Sequence, residues 1–331
     1  MSDNTIRSGS LQFYPRKRVT RILPSVNWKA IPSPTLASGN KDHKGLMGFI
    51  GYKVGMTSVF AKDTTDDSMT KGKKIIVPAT IVECPGLKIF SIRFYKDNIV
   101  QKEVLVSNDK QLKKRVKVPK TLKDSKHIDQ VAKEIEYDDI RVIVYSEVGK
   151  TGIGKKNPDM LEIAISGGNK EEKLHFAKEK IGKTIAISEV FRAGKGQLLD
   201  VRGVTKAHGL QGPMKRFGIA LRVAKSEKGR RRPGSLGPWH PARVTFRVPM
   251  AGQIGYFTRA CFNNAILQIG STKEKDINVK QGFHRYGNVN TDYIILRGSI
   301  PGPKKRVLVL TQALRPTKAQ RKLNYEVIEL R

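Results

Sequence analysis

The chain has 331 residues, 38% of them hydrophobic, and carries 63 Lys and Arg against 29 Asp and Glu, a formal net charge of +34 at pH 7. A charge that large opposes a compact state by self-repulsion unless an anion offsets it, so the composition points to a polyanion or an anionic membrane surface as partner. The membrane is disfavoured: no apolar run approaches the roughly 18 residues of a span, and neither a basic amphipathic helix nor a lipidation motif is found.

In chain order, residues 1–45 hold eight basic and two acidic residues with little periodicity, and read as a basic N-terminal extension. Residues 1–10 are polar and lack the apolar stretch of a signal peptide. Residues 48–59 are strand-like with glycine punctuation, and 79–83 and 89–95 are short β-rich runs. Residues 122–135 place Ile128, Val131 and Ile135 at helical spacing, with Asp124 and Ser125 as candidate N-caps. Strands are expected again at 140–145 and 161–165. A second helix is predicted over 170–181, with Asn169 at its start, Glu171 and Glu172 matching the dipole, and Gly182 as a stop. Leu174, Ala177 and Ile181 share one face of it. Residues 183–190, 197–204, 265–269, 293–298 and 306–311 predict further strands between Gly, Pro and Asn turns. Residues 311–331 read as a basic C-terminal tail.

The charge divides this order into parts. Residues 80–190 hold 22 basic and 17 acidic residues, the balance of an ordinary soluble domain, while the remaining 220 hold 41 and 12. Mixed strands and helices there predict an α+β unit. The many short strands with glycine corners on either side favour a closed β-barrel, over 46–79 and 184–310, with the α+β unit inserted at 80–183. The expected fold is thus mainly β with an α+β insert.

Searches for catalytic and metal-binding patterns fail. Gly149-Lys150-Thr151 and Gly182-Lys183-Thr184 resemble the end of a phosphate-binding loop, but Val144 and Ala177 stand where its first glycine belongs. His43, His127, His175, His208, His240 and His284 show no metal spacing with Cys84 or Cys261, which read as reduced thiols. Asp63, Asp66 and Asp67 read as a solvated turn, because the distal Glu of a calcium loop is missing. No cofactor, metal or homo-oligomer is expected.

What remains is residues 205–248, with eleven Lys and Arg against one acid, Glu227. Such a segment cannot bury a core of its own, and its composition predicts order only on a partner. Arg230, Arg231 and Arg232 precede Pro233-Gly234, which places three guanidinium groups outside helical backbone. Guanidinium binds phosphate bidentately and stacks on bases, so RNA is the expected partner. Lys206, His208, Lys215, Arg216, Arg222, Lys225, Lys228, His240, Arg243 and Arg247 extend the bias. Trp239 sits between Pro238 and Pro241, a stiff position suited to stacking on a nucleotide, the alternative being a Trp folded back into the core. Arg16, Lys17, Arg18 and Arg21 repeat the pairing of cations with aromatics beside Phe13 and Tyr14. Two classes are carried: a structural RNA-binding protein, and an RNA-modifying enzyme or free-standing RNA chaperone. The enzyme needs a set of convergent polar groups, and none is found.

The motifs Gly9-Ser10-Leu11, Pro15-Arg16-Lys17-Arg18 and Gly51-Tyr52-Lys53-Val54-Gly55-Met56-Thr57 resemble the start of the ribosomal protein L3 family. The match continues through Thr205-Lys206-Ala207-His208-Gly209, Gly237-Pro238-Trp239-His240-Pro241-Ala242 and Ala251-Gly252-Gln253-Ile254-Gly255-Tyr256. It ends at Ile300-Pro301-Gly302-Pro303-Lys304-Lys305-Arg306. The resemblance implies a translation-factor-like β-barrel, extensions into large-subunit rRNA, and a cytoplasmic ribosomal location. It implies rRNA contacts at Lys53 and at Lys304, Lys305 and Arg306, and a finger ending at Trp239 near the peptidyl-transferase centre. There the peptide bond is made by RNA, and the finger influences aminoacyl-tRNA entry. It also implies early assembly near the 3′ end of the rRNA, with ribosomal protein L14 as neighbour. The insert and the N-terminal motif resemble the archaeal and eukaryotic branch. The end soon after Tyr325-Glu326-Val327, and Glu227 where eukaryotic members carry histidine, favour the archaeal side.

Overall fold

A computed structural model describes residues 13–31, 45–121, 125–167, 169–225 and 229–330. The chain forms two compact units: one of Val204–Arg259 with the residues up to Ile22, the other of Leu23–Gly203 with Ala260–Arg331. The protein is mainly β with few helices.

The larger unit begins with β1 (Gly48–Asp63), β2 (Lys74–Glu83), β3 (Leu87–Lys96) and β4 (Ile99–Leu105). There follow α1 (Ser125–Glu134), β5 (Asp139–Ser146), β6 (Met160–Ala164), α2 (Lys170–Glu179), the single turn α3 (Ile187–Val190) and β7 (Leu198–Val204). In the other unit lie β8 (Ala207–Gln211), α4 (Pro213–Phe217) and β9 (Gly252–Gly255). β10 (Thr258–Ser271) leads back to β11 (Asp292–Arg297), β12 (Val307–Gln312), α5 (Lys318–Arg321) and β13 (Tyr325–Leu330).

Seven strands pair in the order β12-β7-β10-β11-β2-β1-β13, and β12 also pairs with β1, so six of them close on themselves. β1 serves three partners because of its length: Gly48–Tyr52 pair with β12, Val59–Asp63 with β13, and Tyr52–Lys62 with β2. Closure buries the strands on both faces, which is why β12 reads Val-Leu-Val-Leu-Thr-Gln with every residue buried. Val77, Ala79 and Ile81 of β2 alternate into one apolar cluster with Val54, Tyr293 and Ile295. Phe49, Ile50, Tyr52, Leu308 and Leu310 face another.

That other cluster continues into a four-stranded antiparallel sheet, β4-β3-β5-β6, through Ile92, Phe94, Ile140 and Val142. Ile128 and Val131 of α1 and Leu174 and Ala177 of α2 bury against it, as their helical spacing requires. Asn169 precedes α2 without a side-chain cap, and Gly182 follows at φ 74°. Asp124, the expected cap of α1, lies outside the described residues, as do residues 1–12 and 32–44 of the N-terminal extension.

Three expectations are corrected. Residues 183–190 are not a strand: Ile185 makes one bridge to Leu87, and Ile187–Val190 turn into α3, burying Ile187 and Val190. Asp63 is not in a solvated turn. It is buried and accepts from the Thr65 N–H, Ser68 Oγ (2.8 Å) and Thr70 Oγ1 (2.5 Å). Tyr325–Leu330, within the stretch read as a tail, pairs with β1 as β13.

Candidate nucleic-acid interface

The smaller unit is built on a two-stranded ladder, β8 against β9, which pairs Ala207 with Gly255 and Gln211 with Gly252. Below it the Thr205 N–H donates to the Phe257 carbonyl (2.9 Å) and the Tyr256 N–H to the Lys206 carbonyl (3.0 Å). Gly255 has φ 71°, and a Cβ there would lie 1.9 Å from the Lys206 oxygen, so this close approach admits only glycine. Lys206 and His208 are exposed along the ladder.

After β8, Pro213 opens α4 and Gly218, at φ 68°, closes it. Arg216 does not reach outward. Its Nε donates to the Gln253 carbonyl (3.0 Å), its Nη1 to Met250 (3.0 Å) and its Nη2 to Arg16 (3.2 Å). Arg16 returns a bond from Nη1 to the Arg216 carbonyl (2.9 Å) and lies 4.3 Å from the Phe217 ring centre. Partial burial, with the neighbouring Arg16 charge, pulls Arg216 below its ordinary pKa. These two guanidinium groups tie residues 13–22 to the ladder, spending part of their donor capacity on carbonyls within the unit. Lys17, Arg18, Arg21 and Lys215 are exposed, with Arg18 over the Tyr256 ring at 5.1 Å.

Farther along, the two arms of the excursion meet where the Arg222 N–H donates to the Arg230 carbonyl (3.2 Å) and Arg230 Nε to the Arg222 carbonyl (3.2 Å). Lys225, Arg231, Arg232, Arg243 and Arg247 are exposed, as are Val223 and Val244. Lys228 and Glu227 lie outside the described residues. Trp239 is 87% exposed, which rejects the alternative of a core Trp. Its carbonyl accepts from the Ala242 N–H (2.9 Å) across the cis His240–Pro241 bond, and its ring borders an open recess of about 380 Å³ with Leu236 and Val244. Phe246, 65% exposed, sits edge-on to Tyr14 at 5.9 Å. The sequence reading missed Phe246, although its position beside Arg247 repeats the cation–aromatic pattern.

The expected contacts of the larger unit fare differently. Lys53, for which the resemblance implies an rRNA contact, is buried, and its ammonium donates to the carbonyls of Ile300 (2.6 Å) and Gly302 (3.1 Å). Lys304 donates to the His284 carbonyl (2.6 Å) and Lys305 to Ile153 (3.3 Å). Arg306 is half-buried. Cys84 is buried, which pushes its thiol pKa up and leaves it unreactive. Among the described residues no cluster of His, Cys, Asp and Glu suits a metal ion, and no helix is long and apolar enough to cross a membrane.

Such a surface can neutralise phosphates through its free cations and stack bases on its exposed aromatics. The chain is 40% identical over 321 residues to the large ribosomal subunit protein uL3 of Archaeoglobus fulgidus, covering 95% of this chain and 93% of the relative. It is 39% identical to the proteins of the same name from Methanocaldococcus jannaschii, over 323 residues, and Methanothermobacter thermautotrophicus, over 321 residues. In these two, 92% and 91% of the relative is covered. The family model described as Ribosomal protein L3 matches residues 1–330, and the chain belongs to that family.

Proposed function

We propose that this protein is a structural, non-enzymatic constituent of the large ribosomal subunit in the cytoplasm and that it binds large-subunit rRNA. The observation that carries the reading is the excursion of 205–248: cations and a 87% exposed Trp239 on a backbone that buries almost nothing of its own. Left free, exposed Val223, Trp239, Val244 and Phe246 beside so many like charges are unfavourable; rRNA supplies both phosphates and stacking faces. In this reading the closed ring of six strands is a translation-factor-like barrel. The segment between β2 and α3 is its inserted domain, 1–45 is an N-terminal extension, and 205–248 form a finger that places Trp239 near the peptidyl-transferase centre. The protein joins the subunit early in assembly as a single copy, with ribosomal protein L14 as neighbour.

Replacing Arg230, Arg231 and Arg232 by Ala tests this. Each neutralised phosphate steepens the log–log salt dependence by about 0.9 on duplex DNA, and by a comparable amount on RNA. The triple variant is expected to bind an rRNA transcript more weakly, with a salt slope shallower by about two to three. An unchanged slope means that the three arginines contact no phosphate. Absence of the wild-type protein from large subunits on a sucrose gradient at moderate salt defeats the whole reading.

A further inference from the structure

The near-neutral balance of residues 80–190 conceals a local excess. Between Lys110 and Lys120 stand six cations, Lys110, Lys113, Lys114, Arg115, Lys117 and Lys120, and no acid. The rest of 80–190 holds 16 basic and 17 acidic residues, so this one loop carries the entire surplus. Elsewhere in that part, most of the described cations are paired with carboxylates, among them Arg93 with Glu103 and Glu162, Arg141 with Asp139 and Glu162, Lys88 with Glu147, and Lys173 with Asp139. Among the described residues, none of the six loop cations makes an ion pair, and all six are exposed.

The loop is nevertheless built and not merely solvated. Leu112 is completely buried against Phe90 and Tyr145, with Val116 and Val118 packed beside it. The N–H groups of Arg115 and Val116 both donate to the Leu112 carbonyl (2.8 and 2.9 Å), and Asn108 Nδ2 reaches the Lys120 carbonyl (3.4 Å) to close the ends. Apolar residues therefore pin the backbone at 112, 116 and 118 while the cations between them face outward around a shallow recess of about 550 Å³. A pinned loop loses less conformational freedom on binding than a free tail, so its charges are worth more per contact.

We infer that residues 110–120 are a second rRNA-binding surface that grips the phosphate backbone without reading sequence, separate from the excursion of 205–248. Phosphodiester is the ligand because clustered, exposed, unpaired Lys and Arg suit it, and because no aromatic within the loop offers a face to stack a base. The inference rests on the reading that the protein assembles into the large subunit.

The test uses the full chain. In the first arm, Lys113→Gln, Lys114→Gln and Arg115→Gln are combined and binding to a large-subunit rRNA transcript is followed against salt. A salt slope shallower by about two to three is expected, additive with the Arg230–Arg232 substitutions. An unchanged slope overturns the inference. In the second arm a photo-crosslinking amino acid replaces Lys114, subunits are isolated on a gradient, and the crosslinked species is identified. Crosslinks to rRNA are expected; crosslinks to protein alone, or none, overturn the inference. Co-sedimentation with the large subunit in the same gradient scores the parent reading independently.

Discussion

The two tryptophans show how differently one residue type is used. Trp28 is buried at 5% exposure, its ring so close to Gly48 that a Cβ there would stand 2.8 Å from it. Trp239 is exposed and contributes nothing to a core. Trp239→Ala is therefore expected to leave the isolated protein's stability within about 0.5 kcal/mol of wild type while altering tRNA accommodation on ribosomes that carry it. A large drop in Tm would show that the ring is needed for folding. Lys53 is the opposite case. Its ammonium is held by two carbonyls inside the larger unit, so Lys53→Met leaves buried acceptors unmatched. Thermal unfolding should register a loss of about 1–3 kcal/mol, with the salt dependence of RNA binding unmoved. Asp63 gives a pH signature. Burial alone would raise its pKa, but the bonds from Thr70, Thr65 and Ser68 outweigh it and hold the carboxyl well below the ordinary carboxylate range. A depressed folded-state pKa contributes stability above the unfolded value near 4 and loses it as pH falls toward the folded one. The Tm gap between wild type and Asp63→Asn should thus shrink from pH 6 to pH 2; a constant gap would show that the carboxylate's charge is irrelevant.

At the scale of elements, the β8–β9 ladder decides whether the excursion has a fixed base. Gly255→Ala forces a Cβ onto the Lys206 carbonyl in backbone at φ 71°, a strain of about 1–3 kcal/mol. Proteolysis within 205–250 should accelerate in the variant while the larger unit, monitored through its own Tm, stays intact; equal cleavage rates would mean that the ladder does not hold the arms. The elements legible in the sequence were those with a strong period or a buried face. β1, β2, β3, β5, β7, β11 and β12 all lie in apolar runs, and α1 and α2 carry their core residues at helical spacing. β4 and β13 were missed because they are edge strands with exposed Ile99, Val100 and Ile328, where pairing and not burial defines the strand. β8 was missed because all but its last residue are exposed. Residues 183–190 misled because Ile185, Ile187 and Val190 look like a strand, whereas a single helical turn buries the last two as well. The basic excursion was legible from charge alone. Which of its arginines are spent internally was not: Arg16 and Arg216 differ from Arg231 only in the carbonyls that the fold brings to them.

For the whole molecule, the net charge of +34 is a statement about partners more than about folding. The larger unit closes its strands and buries its apolar residues as any soluble protein does, and it neutralises many of its cations with its own acids. Most of the surplus lies in the excursion of 205–248, the terminal segments and the loop at 110–120. Such a division fits a protein whose folded part positions charged segments for a polyanion. A density map of the large subunit containing this protein tests that division most directly. Residues 205–248 should be ordered along rRNA, with Trp239 packed against nucleotides of the peptidyl-transferase region. Density showing Trp239 in solvent or against protein alone, with the excursion away from RNA, would contradict it.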